Sequence, residues 1–251
     1  MLRFKSFYHR ALPNAILITS ALFVSLLLAW YTLSACNFFY PVLHDVVGID
    51  ATIAEYAPRN SYRKSFDRTT RKQRAELFRE IVRGINNHGE GLDTIRYFDA
   101  QGQPLGLLLR KPEIVHLGDV ARLLDRLQRA ALLSGVLLIV MITFYRRRNI
   151  NIPPAGRVLA AVVLTLLFIA IVVAASGAEK LFYQWHTLVF PAGHQWFFYY
   201  EESLMTMLMK APDLFAWLAV LLALFALAFL YLILRLVQGY LARGRAAPGR
   251  E

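Results

Sequence analysis

His116 and Asp119 stand three residues apart in Pro112–Leu127, PEIVHLGDVARLLDRL, and on a helix that spacing puts both on one face. An imidazole, with an unperturbed pKa of about 6.5, accepts a proton from an amine or a water near neutral pH and returns it to a leaving alkoxide. A nearby carboxylate, Asp119 or Glu113 one turn earlier, can hold one imidazole tautomer, as a carboxylate does in a catalytic triad. Two further histidines, His186 and His194, lie in EKLFYQWHTLVFPAGHQWFFYYEESLMTMLMKAPDLF, among tryptophans, phenylalanines and tyrosines. Two imidazoles suffice for acyl transfer, one as base and one as acid. The chain has no G-x-S-x-G, no HExxH, no CxxC and no glycine-rich phosphate loop, which argues against the common hydrolase, zinc and nucleotide sites and leaves no metal assigned.

The element that must carry His116 and Asp119 starts near Pro112, since proline suits a first helical position. Val120, Leu123, Leu124 and Leu127 continue at helical spacing into the apolar run Ala130–Tyr145 without a Gly-Pro break. One helix of roughly 50 Å then outruns a hydrocarbon core of about 30 Å, so its first turns stand in or above the headgroups.

The composition requires that membrane. The chain is 57% apolar, above the roughly 45–50% of soluble domains. Four continuous apolar runs, about Leu12–Leu33, Ala130–Tyr145, Val158–Ala178 and Phe215–Leu236, read as spanning helices. Their continuity excludes a β-barrel, whose strands alternate. The first run follows Arg3, Lys5 and Arg10 as a signal peptide would, but it exceeds an h-region and no A-x-A site follows, so it reads as an anchor. The expected fold is an α-helical integral membrane protein, a four-transmembrane-helix bundle with a small α+β extracytoplasmic cap. The expected organisation is 1–36 as N-terminus and first span, 37–129 as cap, 130–178 as spans two and three, 179–214 as an aromatic and histidine-bearing outer loop, and 215–251 as fourth span and tail.

Arg146, Arg147, Arg148 and Arg157 bracket the link between the second and third spans, and Arg235, Arg243, Arg245 and Arg250 close the chain. These, with the three N-terminal basic residues, place both termini and that link in the cytoplasm. The net charge of +11 gathers beside the spans, which assigns it to a membrane surface and not to nucleic acid. The lone Cys36 has no partner for a disulfide or a zinc motif and reads as a passive residue.

Between the first two spans, NFFYPVLHDVVGI is too short to cross and reads as interfacial, with Phe38, Phe39 and Tyr40 at headgroup depth. Thr70–Ile85 reads as an amphipathic helix with a solvated or lipid-facing basic side. TIRYFDAQGQPLGLLLR reads as two strands around the turn Asp99–Gly102. The aromatics from Trp185 to Tyr200 suit an interfacial belt, and the tail after Gly239 reads as disordered. Each candidate also has a plainer reading: His116 and Asp119 as a solvated helix pair, His186 and His194 as packed interfacial histidines. His9, His44 and His88 fall in no coherent pattern.

Two stretches give the chain a family likeness. EIVHLGDVARLL resembles the His, hydrophobic, Asp-Val pattern of the lipoprotein intramolecular transacylase (Lit) family. FYQWHTLVFPAGHQWFFYYEESLMTMLMKAPDLF is similar to that family's His, aromatic-rich loop, Trp and closing Pro-acid-Leu-Phe run. Trp185 stands where the pattern has Phe, Gly118 where it has an acid, and Glu201 or Glu202 where it has Asp. The resemblance implies an enzyme that moves the sn-2 acyl chain of an S-diacylglyceryl-cysteine lipoprotein to that cysteine's own amine, giving the lyso form without a cofactor. Its partners would be the diacylated lipoprotein N-terminus and membrane lipid, its place a bacterial plasma (inner) membrane, its active site extracytoplasmic. The implied catalytic residues are His116, His186 and Asp119, with His116 as base held by Asp119 and His186 serving the leaving oxygen or the oxyanion, or the reverse. Trp185, His194, Trp196 and Glu202 are the expected substrate-binding residues. A non-enzymatic scaffold or sensor, and a haem- or quinone-binding protein with His116, His186 and His194 as ligands, are the competing readings.

Overall fold

The computed structural model describes residues 2–246. The side chains of Arg3, Lys5, His9 and Arg10, and the tail beyond residue 246 with Arg250, lie outside the described residues. Nine α-helices and two strands are described: α1 (Leu2–Ala35), α2 (Tyr40–Val47), α3 (Ile49–Tyr56), α4 (Arg71–Asn86), β1 (Arg96–Phe98), β2 (Pro104–Leu107), α5 (Lys111–Arg147), α6 (Ala155–Ser176), α7 (Ala178–Val189), α8 (Leu204–Met209) and α9 (Asp213–Ala246). Four of them, α1 from Ala11, α5, α6 and α9, are long and apolar enough to cross a membrane. In α5 the charges Lys111, Glu113, Asp119, Arg122, Asp125, Arg126 and Arg129 confine the crossing part to the turns beyond Arg129. The helix itself is unbroken, as the periodicity requires. The third span ends at Ser176, two residues before the apolar run does, because Gly177 takes a left-handed φ of 87°.

The chain divides into two compact units. One comprises residues 1–31, 128–178 and 222–251. Its core joins Leu17 and Ala21 of α1, Leu138, Met141 and Tyr145 of α5, Ala155 and Val158 of α6, and Leu230, Leu234 and Val237 of α9. The Tyr145 hydroxyl donates to Asn14 Oδ1 at 2.5 Å, and Gln238 Nε2 to the Pro153 carbonyl at 2.8 Å. These tie α5 to α1 and α9 to the link between α5 and α6. Residues 240–246, expected to be disordered, continue α9: Leu241 is buried in the same core, Arg146 donates to the Tyr240 carbonyl, and Arg245 to Asn149. Tertiary contact overrides the polar composition there.

The other unit, residues 32–127 and 179–221, carries all the candidate residues. Thr70 caps α4 by accepting the Gln73 N–H at 3.2 Å, and Leu77, Phe78, Ile81, Val82 and Ile85 form its buried face. Phe38 and Tyr40, expected at headgroup depth, are buried against that face: the Tyr40 ring stacks on Phe78 at 4.3 Å and its hydroxyl donates to the Leu208 carbonyl at 2.6 Å. Only Phe39 of the three stays exposed. The reason is α4, whose apolar face needs a cover more than the aromatics need a lipid surface. The two strands pair antiparallel, Arg96 with Leu107 and Tyr97 with Gly106, around a turn in which Asp99 Oδ1 accepts from the Gln101 and Gln103 N–H groups. At the end of α4, Gly89 takes a φ of 91° and a Cβ there would meet the Cα of Gly118 at 3.5 Å, so this turn seats directly on α5 beside His116 and Asp119. His88 in the same turn contacts Asp125 at 2.9 Å.

Candidate active site

Three elements bring the candidate residues together: the first turns of α5, helix α7, and the loop 190–203. Pro112 sits at the second position of α5, and Glu113 in its first turn accepts the Arg110 N–H, so this buried helix start is closed by its own side chain. His116 follows on the same face. Its ring meets Phe190 edge-on at 5.0 Å and Phe198 at 6.2 Å, both buried.

His186 lies near the end of α7, 8% exposed. Its Nδ1 is 2.8 Å from the Phe182 carbonyl, one turn back. A carbonyl only accepts, so Nδ1 carries the hydrogen and Nε2 is left with the lone pair. Trp196 lies 4.7 Å from the ring, Trp185 5.1 Å edge-on, and Phe190 5.3 Å. Phe190 therefore touches both imidazoles. Burial holds His116 down to about 4, with His186 adding to the effect and Asp119 opposing it. Burial also lowers His186, against the bond to Phe182. Both rings are neutral at pH 7, each with one N–H and one lone pair.

Asp119 is not the partner of His116. Its Oδ2 lies 2.7 Å from His194 Nδ1, its Oδ1 accepts from Arg122, and its carboxylate is 3% exposed. It fastens the loop 190–203 to α5 through His194. Glu113 does not hold His116 either: besides the Arg110 N–H it takes a hydrogen bond from Ser203, the N-cap of α8. The i, i+3 spacing put carboxylate and imidazole on one face, as expected, but a loop from elsewhere in the chain supplied the carboxylate with a closer partner.

Trp185 and Trp196 join the imidazole cluster. Glu202 does not: among the described residues its side chain makes no hydrogen bond or ion pair, and its N–H donates to the Tyr199 carbonyl. Of the aromatics read as a belt, Phe198 is buried, and Trp185, Phe197 and Tyr199 are exposed. Sequence reasoning missed Phe190, Arg63, Arg110 and Ser203. Phe190 sits four residues after His186, a helical neighbour by spacing; Arg63 gave no signal, because its loop reaches α5 only in the fold.

One other cluster has metal-ligand chemistry. His44, Asp45 and Asp50 offer donor atoms within 4.8 Å of one another. Arg71 clamps Asp45 with two bonds, at 2.8 and 2.7 Å, and Arg74 pairs with Asp50. The guanidinium of Arg71, with His44 beside it, holds the Asp45 carboxyl down to about 2. Each carboxylate is thus already matched to a cation.

These features define a class: an integral membrane protein with four candidate spanning helices and a polar unit holding two neutral histidines in an aromatic enclosure. A family model described as lipoprotein intramolecular transacylase Lit matches residues 11–215. The chain belongs to the lipoprotein intramolecular transacylase family, and so to a family of membrane enzymes. No curated protein matches it. Among solved structures it is similar to the membrane integral lipoprotein intramolecular transacylase Lit from Bacillus cereus, at 17% identity and a TM-score of 0.63 over 95% of this chain and 98% of that one. Two variants of the B. cereus protein match at 18% identity with the same TM-score. One has a histidine replaced by arginine and covers 97% of this chain and 96% of its own. The other has a histidine replaced by alanine and covers 97% and 98%. The scaffold and haem readings give way to the family.

Proposed function

We propose that the protein transfers the sn-2 acyl chain of an S-diacylglyceryl-cysteine lipoprotein to that cysteine's α-amine, with His186 as general base and His116 as hydrogen-bond donor to the oxyanion. The observation that carries the assignment is the Phe182 carbonyl on His186 Nδ1, which commits that nitrogen as a donor and leaves Nε2 to accept. The base role given to His116 by the spacing of Asp119 moves to His186, since Asp119 serves His194.

The free amine attacks the sn-2 ester carbonyl while Nε2 of His186 takes a proton from the nitrogen. The tetrahedral oxyanion accepts a hydrogen bond from the neutral imidazole of His116. Collapse expels the sn-2 glyceryl oxygen, which takes the proton back from His186. An ester bond breaks, an amide bond forms, and the mass is unchanged. Donor and acceptor arrive on one molecule, so little translational entropy remains to be lost. Trp185 and Trp196, both against His186, exclude water that would otherwise hydrolyse the ester. His194 binds indirectly, by holding the loop that carries Trp196 and Phe198.

We place this site on the extracytoplasmic face of a bacterial plasma membrane with both termini in the cytoplasm, on the strength of the basic residues beside the spans. The test is tandem mass spectrometry of a synthetic S-diacylglyceryl-cysteinyl peptide incubated with purified protein in detergent. The account predicts an isobaric product with the acyl group on nitrogen and a free sn-2 hydroxyl. Free fatty acid, or an unchanged peptide with folded protein present, would refute it.

A further inference from the structure

One turn before His116, the second unit buries polar atoms whose hydrogen bonds are not made. Glu113 is fully buried, and its Oε1 has no hydrogen-bond partner; the nearest cation, Arg110 Nε, is 3.8 Å away. Arg110 Nε and Nη2 and Arg63 Nε are likewise buried without acceptors, as is His116 Nδ1 without a partner. Each such group is costly to leave alone, more so when charged. Glu113 Oε1 and Arg110 Nε form an ion pair too long for a hydrogen bond, so the cluster keeps an acceptor and several donors free to bond a ligand.

The residues are held in place. Arg110 packs its guanidinium over Tyr62 at 4.4 Å and Phe198 at 5.8 Å. Arg63 is fixed by Asn60, whose Oδ1 accepts the Arg63 N–H at 2.7 Å, and its loop is tied to the loop 190–203 by the Ser61 N–H on the Glu201 carbonyl at 2.8 Å.

We infer that Arg63, Arg110 and Glu113 form the subsite for the amino-terminal residue of the lipidated peptide: Glu113 Oε1 accepts an N–H of the free α-amine and the two guanidiniums donate to the carbonyl oxygen of the same residue. This rests on the transacylase reading above and names how that substrate is held. The chemistry selects the occupant. The unmatched groups ask for one N–H donor near an acceptor oxygen, which an amino-terminal residue offers two carbons apart. A glyceride ester or a phosphate offers acceptors only and brings no donor to Glu113 Oε1. Held there, the amine stands one helical turn from His116 on α5.

The test uses wild-type protein in detergent and a diether analogue, an S-glyceryl-cysteinyl peptide with ether-linked chains that cannot be transferred. Binding is compared with a desamino twin and with a twin whose first amide is a trans alkene. Loss of a charge-assisted bond predicts at least about tenfold weaker binding for each twin. Glu113→Gln should erase the preference for the amine and Arg110→Lys should blunt the preference for the carbonyl. If either variant fails to fold, the wild-type series alone decides. Equal binding of all three ligands by wild type, with the diester peptide still converted, overturns the subsite and leaves the transacylase reading intact; ordered water then fills the cluster. If folded wild type neither converts the diester nor binds the diether, the reading itself falls and the subsite with it.

Discussion

The second unit holds histidines in two contrasting ways. His194 is gripped by a carboxylate, Asp119, that also binds Arg122, and its ring is 39% exposed. His116 and His186 touch no carboxylate; they are enclosed by Phe190, Phe198, Trp185 and Trp196, and a backbone carbonyl alone sets the tautomer of His186. The carboxylate pair has the look of a catalytic dyad, yet it holds a loop in place. The aromatic pair looks like ordinary packing, but its burial keeps both imidazoles neutral, which is the state a base needs near pH 7. On the proposed reading, charge pairing serves structure and desolvation serves chemistry.

The largest effect should come from breaking the aromatic-enclosed pair. His186→Ala and His116→Ala are expected to lower kcat about 10²–10⁴-fold in a single-turnover assay, with expression and melting temperature preserved. Asp119→Asn and His194→Ala should cost about tenfold or less in kcat and act mainly on KM, through looser positioning of the loop. A loss of kcat for Asp119→Asn equal to that for His186→Ala would erase the distinction.

Phe190→Ala removes the ring that both imidazoles touch. A buried Phe truncation typically costs about 3–5 kcal/mol, visible as a lower melting temperature, and activity should fall even at temperatures where the variant stays folded. Retained stability would mean that Phe190 is not the shared wall.

Titration sharpens the same contrast. A lowered imidazole pKa means that the folded protein resists a proton that the unfolded chain accepts, so the stability involved is present above about pH 6.5. It is lost as pH falls toward about 4, the value at which His116 protonates. NMR of labelled histidine should show His116 neutral through about pH 5.5 and His186 protonating below its ordinary value. Both rings titrating near their ordinary value of about 6.5 would remove the desolvation argument.

The smallest effects should fall on the paired ionic cluster. Asp45 is held low by Arg71, so that contribution is present above about pH 4 and lost only as pH falls toward about 2. Arg71→Ala at neutral pH should leave acyl transfer unchanged and shift the melting temperature little, since the pair is exposed. The exposed Cys36 offers a topology probe in the same preparation: a membrane-impermeant maleimide should label it in intact spheroplasts. Labelling only after permeabilisation would reverse the proposed sidedness.

Much of this could be read from the sequence where the signal was local. The spans are visible as runs, α4 as periodicity, the hairpin as a turn with Asp99 and Gly102, and the length of α5 as uninterrupted spacing from Pro112. His186 stands out as an ionisable group among interfacial aromatics, and His116 by its place at the head of a spanning helix. What failed was pairing. Asp119 went to His194, Glu113 to Arg110 and Ser203, and Phe38 and Tyr40 to α4, each because a segment distant in sequence offered a better contact than the neighbour three residues away. The cluster of Arg63 and Arg110 with Glu113 was invisible for the same reason.

The most direct test of the account is the rate of acyl migration in one turnover, read by tandem mass spectrometry, for wild type, His186→Ala, His116→Ala, Asp119→Asn and His194→Ala at matched folded concentration and saturating lipopeptide. The account predicts that both variants of the aromatic-enclosed pair lose at least about 100-fold while both variants of the carboxylate pair still turn over within about tenfold of wild type. Efficient transfer by His186→Ala, or inactivity confined to Asp119→Asn and His194→Ala, would contradict it.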